Sequence, residues 1–165
     1  VGFFGLYRKT EDIVIIEGTF TVKAPIQKLW DTLMEPETLR ECVPGAEKIE
    51  LIDVNTYDCV VRQKVGPIKI RFKFKNKLVN IQPPTHVEME GEGEDIGKAG
   101  RFTQRTRIDL MEKEGGEVEI VYSCNANIVG KLAMFGDRIM RAKAKSVEAE
   151  FREALSQKLK ALSSG

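Results

Sequence analysis

The sequence predicts an α+β fold in which a curved antiparallel sheet of about seven strands wraps around one long C-terminal helix, with two short helices after the first strand. Two observations carry this reading. Between the Pro44-Gly45 punctuation and Ile128 the apolar residues recur with period two, uninterrupted by any helical pattern. From about Gly130 to Leu162 they recur at helical spacing instead. An amphipathic helix and a half-apolar sheet must bury their dry faces against each other.

The elements follow in order. Ile13 to Val22 is rich in β-branched residues and reads as a strand. Pro25 opens a helix that places Ile26, Leu29, Trp30 and Leu33 on one face. A second short helix runs from Pro36 to about Glu41. Next come the alternating runs: Ile68, Ile70, Phe72 and Phe74; Val87, Met89, Gly91 and Gly93; Phe102, Gln104, Thr106, Ile108 and Leu110; Val118, Ile120, Tyr122, Cys124 and Ala126. Hairpin turns are expected at Gly66-Pro67, Gln82-Pro83-Pro84, 96–99 and 114–116, so the strands form a meander. The closing helix carries Leu132, Phe135, Ile139, Ala142, Val147, Phe151, Leu155, Leu159 and Leu162 on its apolar stripe. No repeat or linker interrupts the chain. Residues 13–163 read as one domain, and residues 1–12 as an N-terminal extension or the start of the first strand.

Composition excludes several classes. At 165 residues with a formal charge of +1, the chain lacks the clustered basic excess of a nucleic-acid binder. Its longest apolar run, Ile13 to Ile16, is far short of the ~20 residues a membrane helix needs. The first residues do not have the pattern of a secretory signal. Cys42, Cys59 and Cys124 are odd in number and widely spaced, which suits reduced, mostly buried thiols in a cytoplasmic protein.

On the outer face, pairing Val79 with His86 would set Lys77, Lys75, Lys73 and Arg71 against Glu88, Glu90, Glu92 and Glu94. Arg107, Arg105 and Arg101 would stand on the far side of Glu88, Glu90 and Glu94. Arg62, Lys64, Lys69 and Arg71 oppose like charges across the Gly66-Pro67 hairpin. They could contact an acidic partner or a membrane surface, or be a solvated face neutralised by neighbouring glutamates.

The same pairing sets Phe74 opposite Gly91 and Phe72 opposite Gly93 on the concave face. Strand glycines mark curvature or close approach. The concave space would receive Phe20, Tyr57, Cys59, Val61, Phe72, Phe74, Met89, Gly91, Gly93, Phe102, Tyr122 and Cys124, with polar Gln104 and Thr106 among them. Trp30 and Leu33 from the first helix, and Leu132, Phe135 and Ile139 from the last, complete the expected lining. Apolar walls with a few polar groups suit a small-molecule pocket. A packed core in which Gln104 and Thr106 bond to each other or to backbone is the competing reading, and both stay open.

Reactive chemistry is scarce. His86 is the only histidine and falls on the outer face beside Glu88. With no second histidine and no ligand spacing among the cysteines, neither a metal site nor a cofactor is expected. The stretch Gly91 to Gly97 has the wrong spacing for a dinucleotide loop and opens no helix. Glu17 and Asp31 both point outward, and Tyr57 and Tyr122 suit binding as readily as catalysis.

Particular residues resemble a known family. Gly18 to Val22, then Ala24-Pro25 and Leu29-Trp30, resemble the opening of START-like, helix-grip (SRPBCC) domains. Cys42-Val43-Pro44-Gly45-Ala46-Glu47, Val65-Gly66-Pro67-Ile68, Gly91-Glu92-Gly93 and Val129-Gly130-Lys131-Leu132-Ala133 before Gly136 resemble the CoxG family, named for the G subunit of carbon monoxide dehydrogenase. The resemblance runs from about Ile13 to Phe151. It implies a helix-grip fold with an internal cavity, a lipid-like or quinone-like ligand, and a non-catalytic accessory role beside a molybdenum hydroxylase. Many relatives carry a C-terminal extension that reaches the membrane, so peripheral membrane contact belongs among the expectations. The alternatives are an assembly or interaction factor with an incidental cavity, working through the basic hairpin or 130–136, and a cyclase or hydrolase of the same superfamily.

Overall fold

A computed structural model describes residues 11–164 of the chain. Of the residues 1–12 expected as an extension or the start of the first strand, 1–10 lie outside the described residues, while Glu11 and Asp12 belong to the first strand.

Strand β1 (Glu11–Lys23) leads into α1 (Ile26–Met34) and α2 (Pro36–Cys42). Pro25 caps α1, its carbonyl accepting from Leu29 N–H at 3.0 Å. The two helices part at Glu35, whose extended backbone (φ −76°, ψ 116°) is what a residue before proline prefers. The meander follows as β2 (Ala46–Asp53), β3 (Thr56–Val65), β4 (Ile68–Gln82), β5 (His86–Asp95), β6 (Gly100–Glu112) and β7 (Glu117–Gly130). All neighbours are antiparallel, in the order β1-β7-β6-β5-β4-β3-β2, so β1 and β2 are the sheet edges.

The β5–β6 register sets Glu88, Glu90 and Glu94 against Arg107, Arg105 and Arg101, as the alternation predicts. The β4–β5 register differs by two residues. Strand β4 continues through a bulge near Val79 to Gln82, which pairs with His86. Phe74 therefore faces Gly93 and Asn76 faces Gly91, while Lys73, Lys75 and Lys77 face Glu94, Glu92 and Glu90. An even shift leaves every side chain on its expected face, which is why the charge columns survive it. Arg71, displaced from Glu94, instead shares Glu47 with Arg62 at 2.7 and 2.9 Å. The like-charged pairs Arg62–Arg71 and Lys64–Lys69 do lie opposite each other, and Glu47 neutralises the first.

The last helix begins later than its pattern suggests. Gly130 and Gly136 adopt φ of 103° and 74°, and between them Lys131–Phe135 forms a 3-10 turn. Leu132 N–H bonds to the Ala99 carbonyl rather than within a helix. Helix α3 then runs from Gly136 to Ser164. This break resets the helical phase. Ile139 is 42% exposed and Ala142 is also exposed, whereas Met140, Ala144, Val147, Phe151, Leu155 and Leu159 lie toward the sheet.

Two apolar clusters line the concavity. One, around Val14, Val65, Ile70, Ile128 and Leu132, sits under the 3-10 turn and takes in Phe72, Phe102 and Phe135. The other, around Phe20, Leu29, Trp30, Tyr57, Leu110 and Leu155, sits under α3 and against α1.

Candidate functional site

The second cluster is hollow. A cavity of about 440 Å³ opens between the sheet, α1, α2 and the middle of α3. Each element presents the face its sequence period dictates. The strands supply Phe20, Tyr57, Cys59, Val61, Phe74, Met89 and Tyr122, and α1 supplies Trp30 and Leu33. These are sequence-predicted positions that the structure brings together.

Several wall residues escape the alternation argument. Met34, Leu39, Val43 and Ile49 arrive from the α1–α2–β2 region, and Ala144 and Glu148 from α3. Asn76 and Leu78 are within reach of that argument, since they continue the parity of Phe72 and Phe74. Glu148 also carries a signal: it lies one residue after Val147 and three before Phe151 on the apolar stripe.

Other expected lining residues lie elsewhere. Phe72, Phe102, Cys124, Leu132 and Phe135 pack in or against the solid cluster. The Phe72 and Phe102 rings meet edge to face at 5.0 Å and 79°. Ile139 points away from the sheet interior because of the phase reset at Gly136. Gln104 donates to Asn76 Oδ1 at 2.8 Å, Thr106 donates to Gln104 Oε1, and the Cys124 thiol approaches the same oxygen at 3.8 Å. Along β6 these polar groups mark the boundary: Phe102 belongs to the solid cluster and Ile108 to the hollow one, with Gln104 and Thr106 between.

Gly91 and Gly93 do not open onto the cavity. Each occupies a gap across which side chains of flanking strands meet. Gly91 stands between Asn76 and Gln104, and a Cβ there would come within 2.5 Å of Gln104 Nε2. Gly93 stands between Phe74 and Phe102, whose rings lie 5.6 Å apart across it. A Cβ on Gly93 would collide with Phe74 Cβ and sit 2.5 Å from the Lys73 carbonyl oxygen. Gly18 does the same at the sheet edge. It faces Tyr122 in register, and the missing side chain lets the Tyr122 hydroxyl pass to Glu148 Oε1 at 2.5 Å.

The polar atoms in the cavity wall are few and mostly engaged. Tyr57 donates to the Met34 carbonyl at 2.8 Å, and burial pushes its phenol upward. Burial, then the Glu148 hydrogen bond, pushes the Tyr122 phenol well above its ordinary range. The Asn76 amide donates to Met89 Sδ at 2.9 Å, a weak acceptor. The Cys59 thiol is pushed up to about 11 by burial, and Cys124 rises for the same reason. Both remain protonated at neutral pH, which leaves them poor nucleophiles. Among the described residues no cluster of three His, Cys, Asp or Glu could hold a metal ion.

His86 is a surface residue, as its parity predicts. Its ring contacts Asp109 at 2.6 Å and Glu88 at 3.1 Å, and these raise its pKa above the ordinary value. No helix among the described residues is long and apolar enough to cross a membrane.

The chain shares its architecture with solved structures. A conserved protein from Geobacillus kaustophilus aligns with TM-score 0.83 and 23% identity, covering 90% of this chain and 96% of that one. A START superfamily protein from Mycobacterium smegmatis aligns with TM-score 0.68 and 9% identity, covering 90% and 98%. The Zhui aromatase/cyclase from Streptomyces sp. R1128 aligns with TM-score 0.65 and 11% identity, covering 90% and 94%. At these identities the likeness shows a shared START-like helix-grip fold. No curated protein matches the chain. A family profile does: that of CoxG, the G subunit of carbon monoxide dehydrogenase, matches residues 18–160.

Proposed function

The chain belongs to the carbon monoxide dehydrogenase CoxG family, and from that membership and the cavity together we propose that it is a non-catalytic carrier of a hydrophobic small molecule. The ligand is lipid-like or quinone-like, and the partner is a molybdenum hydroxylase of the carbon monoxide dehydrogenase type.

The observation that carries the reading is the hollow beneath α3. Its volume of about 440 Å³ falls within the ~300–1,000 Å³ usual for small-molecule sites. Leaving apolar space unfilled is destabilising by about 24 cal/mol per Å³. An unfilled apolar wall of this kind forgoes packing contacts that an occupant would supply. An apolar occupant removes that deficit, whereas water would find few partners on a wall of Phe, Leu, Ile, Val and Met. The protonated Cys59 thiol and the hydrogen-bonded phenols of the wall suit retention rather than turnover.

Native mass spectrometry and solvent extraction of the purified protein test the carrier role directly. An apolar compound should be released, and Val147→Phe should reduce its occupancy while the fold is kept. A clean apo mass together with no uptake of any apolar dye would overturn the reading. The partner is tested separately, by co-purification with a molybdenum hydroxylase from cells that express both.

A further inference from the structure

Resting on the carrier reading, we propose that Tyr122 and Glu148 form the seat for the ligand's polar head, and that this seat selects a neutral hydroxyl, an alcohol or phenol, over a carboxylate.

The pair stands in a wall shared by two spaces. Ile16, Tyr122, Ala144 and Glu148 line the cavity, and the same four residues line a groove of about 470 Å³ between β1 and α3. A side-chain partition is therefore what separates the apolar interior from the groove. At this partition the polar atoms are the Tyr122 hydroxyl and the Glu148 carboxylate, bonded to each other at 2.5 Å. An elongated apolar molecule with one polar end would satisfy both by lodging its body under α3 and its head here.

The charge on the seat decides the head. Glu148 is half-buried and forms no ion pair among the described residues; its partner is a phenol. A carboxylate placed beside it would bring two like charges together in a partly desolvated site. A hydroxyl is complementary on both sides, because it accepts from Tyr122 O–H and donates to Glu148. Gly18 lets the pair form, because the pair's two oxygens occupy the space a Cβ on β1 would take, and the head meets them from the cavity side instead. Arg141 and Lys145 also line the groove and would favour an anion there. Both are solvent-exposed, Arg141 is already paired with Asp137 at 3.2 Å, and Glu17 lies in the same groove. Screening weakens their pull relative to the half-buried Glu148. An ammonium head would also suit Glu148, but it carries the larger penalty of taking a full charge out of water.

The test is displacement of N-phenylnaphthylamine from solvent-stripped protein by dodecanol, dodecanoate and dodecylammonium at about pH 8, where the acid is ionised and the amine protonated. Dodecanol should compete at least about 10-fold more tightly than dodecanoate, a difference of about 1.4 kcal/mol. Glu148→Gln should bring the two within about threefold by improving dodecanoate, and Tyr122→Phe should weaken dodecanol while leaving dye binding in place. Melting curves on each variant separate a lost seat from a lost fold. Equal or tighter binding of dodecanoate, or a ratio that Glu148→Gln leaves unchanged, overturns the head seat while the carrier reading stands. A preference for dodecylammonium overturns the hydroxyl assignment. Failure of the dye itself to bind would instead count against the cavity.

Discussion

The two apolar clusters share one sheet, yet one is solid and the other hollow. At the solid end the 3-10 turn presses Leu132 and Phe135 down onto Phe72 and Phe102. At the hollow end α3 spans the sheet and presents Ala144 and Val147 over the cavity. The sheet's curvature is common to both, so curvature alone does not make a pocket. The covering elements differ: the 3-10 turn delivers Leu132, Ala133 and Phe135 to the solid cluster, whereas α3 sets the small Ala144 and Val147 beside Glu148 and Phe151 in the cavity wall. On β6 Gln104 and Thr106 lie between the two regions, and the Phe74–Phe102 ring contact joins them.

Substitutions in the solid end should do the most damage. Leu132 is 1% exposed, and Leu132→Ala should lower stability by about 2–5 kcal/mol in denaturant unfolding. Gly93→Leu attacks the boundary between the regions. With Phe74 Cβ and the Lys73 carbonyl in the way, it should destabilise by about 1–3 kcal/mol or more, whether or not ligand is present. A variant as stable as the parent would show that Gly93 opens onto free space after all.

Asp95 probes the solid end from its rim. Burial alone would raise its carboxyl, but hydrogen bonds from Arg71 N–H at 2.8 Å and Ala99 N–H at 2.9 Å hold it below the usual range. Asp95→Ala would orphan both donors, at about 1–3 kcal/mol. A depressed carboxyl stabilises fully above the unfolded value near 3.9 and loses that contribution as pH falls through the folded value. The stability difference between parent and Asp95→Ala should therefore hold at neutral pH and shrink below about pH 4.

Filling the hollow end should do the least harm. Val147→Phe should change the stability of ligand-free protein little, within about 1 kcal/mol in thermal unfolding, because the added ring enters open volume. A large loss would mean that the cavity has no room to give. His86 lies outside both clusters and serves as a control. Its pKa is raised chiefly by Asp109 and then by Glu88, so its contribution is complete below about pH 6.5 and fades as pH rises through the folded value. Comparing parent and His86→Gln across that range should show a difference below about 1 kcal/mol.

Periodicity makes much of this legible. The meander, the outward charges and the strand-borne wall residues Phe20, Tyr57, Cys59, Val61, Phe74, Met89 and Tyr122 follow from parity, and the short helices with Trp30 and Leu33 from helical spacing. Parity cannot fix register in steps of two, which is how β4 shifts against β5 while every face stays right. Nor does it show what a strand glycine is for. Gly91 and Gly93 read as points of curvature or close approach lining the cavity; they are points of close approach outside it, gaps through which Gln104 reaches Asn76 and Phe102 reaches Phe74. The phase of α3 is lost for a related reason: two glycines of positive φ flank the 3-10 turn ahead of Ile139, and helical counting does not carry across them. Glu148 stands beside the apolar stripe between Val147 and Phe151, yet a charged residue there reads as surface until its partner is known.

The pairing of β1 with β7 also bears on how the chain reaches its fold. Phe20 finds Ile120, and Val22 finds Val118, about a hundred residues downstream. During synthesis β1 must wait, its apolar face uncovered, until nearly the whole meander has emerged. The hairpins from β2 to β7 close short loops and can form quickly, but the ladder that joins the two ends closes a long one. Refolding should consequently be slow for a domain of this size, and β1 should be the last strand to gain protection against hydrogen exchange.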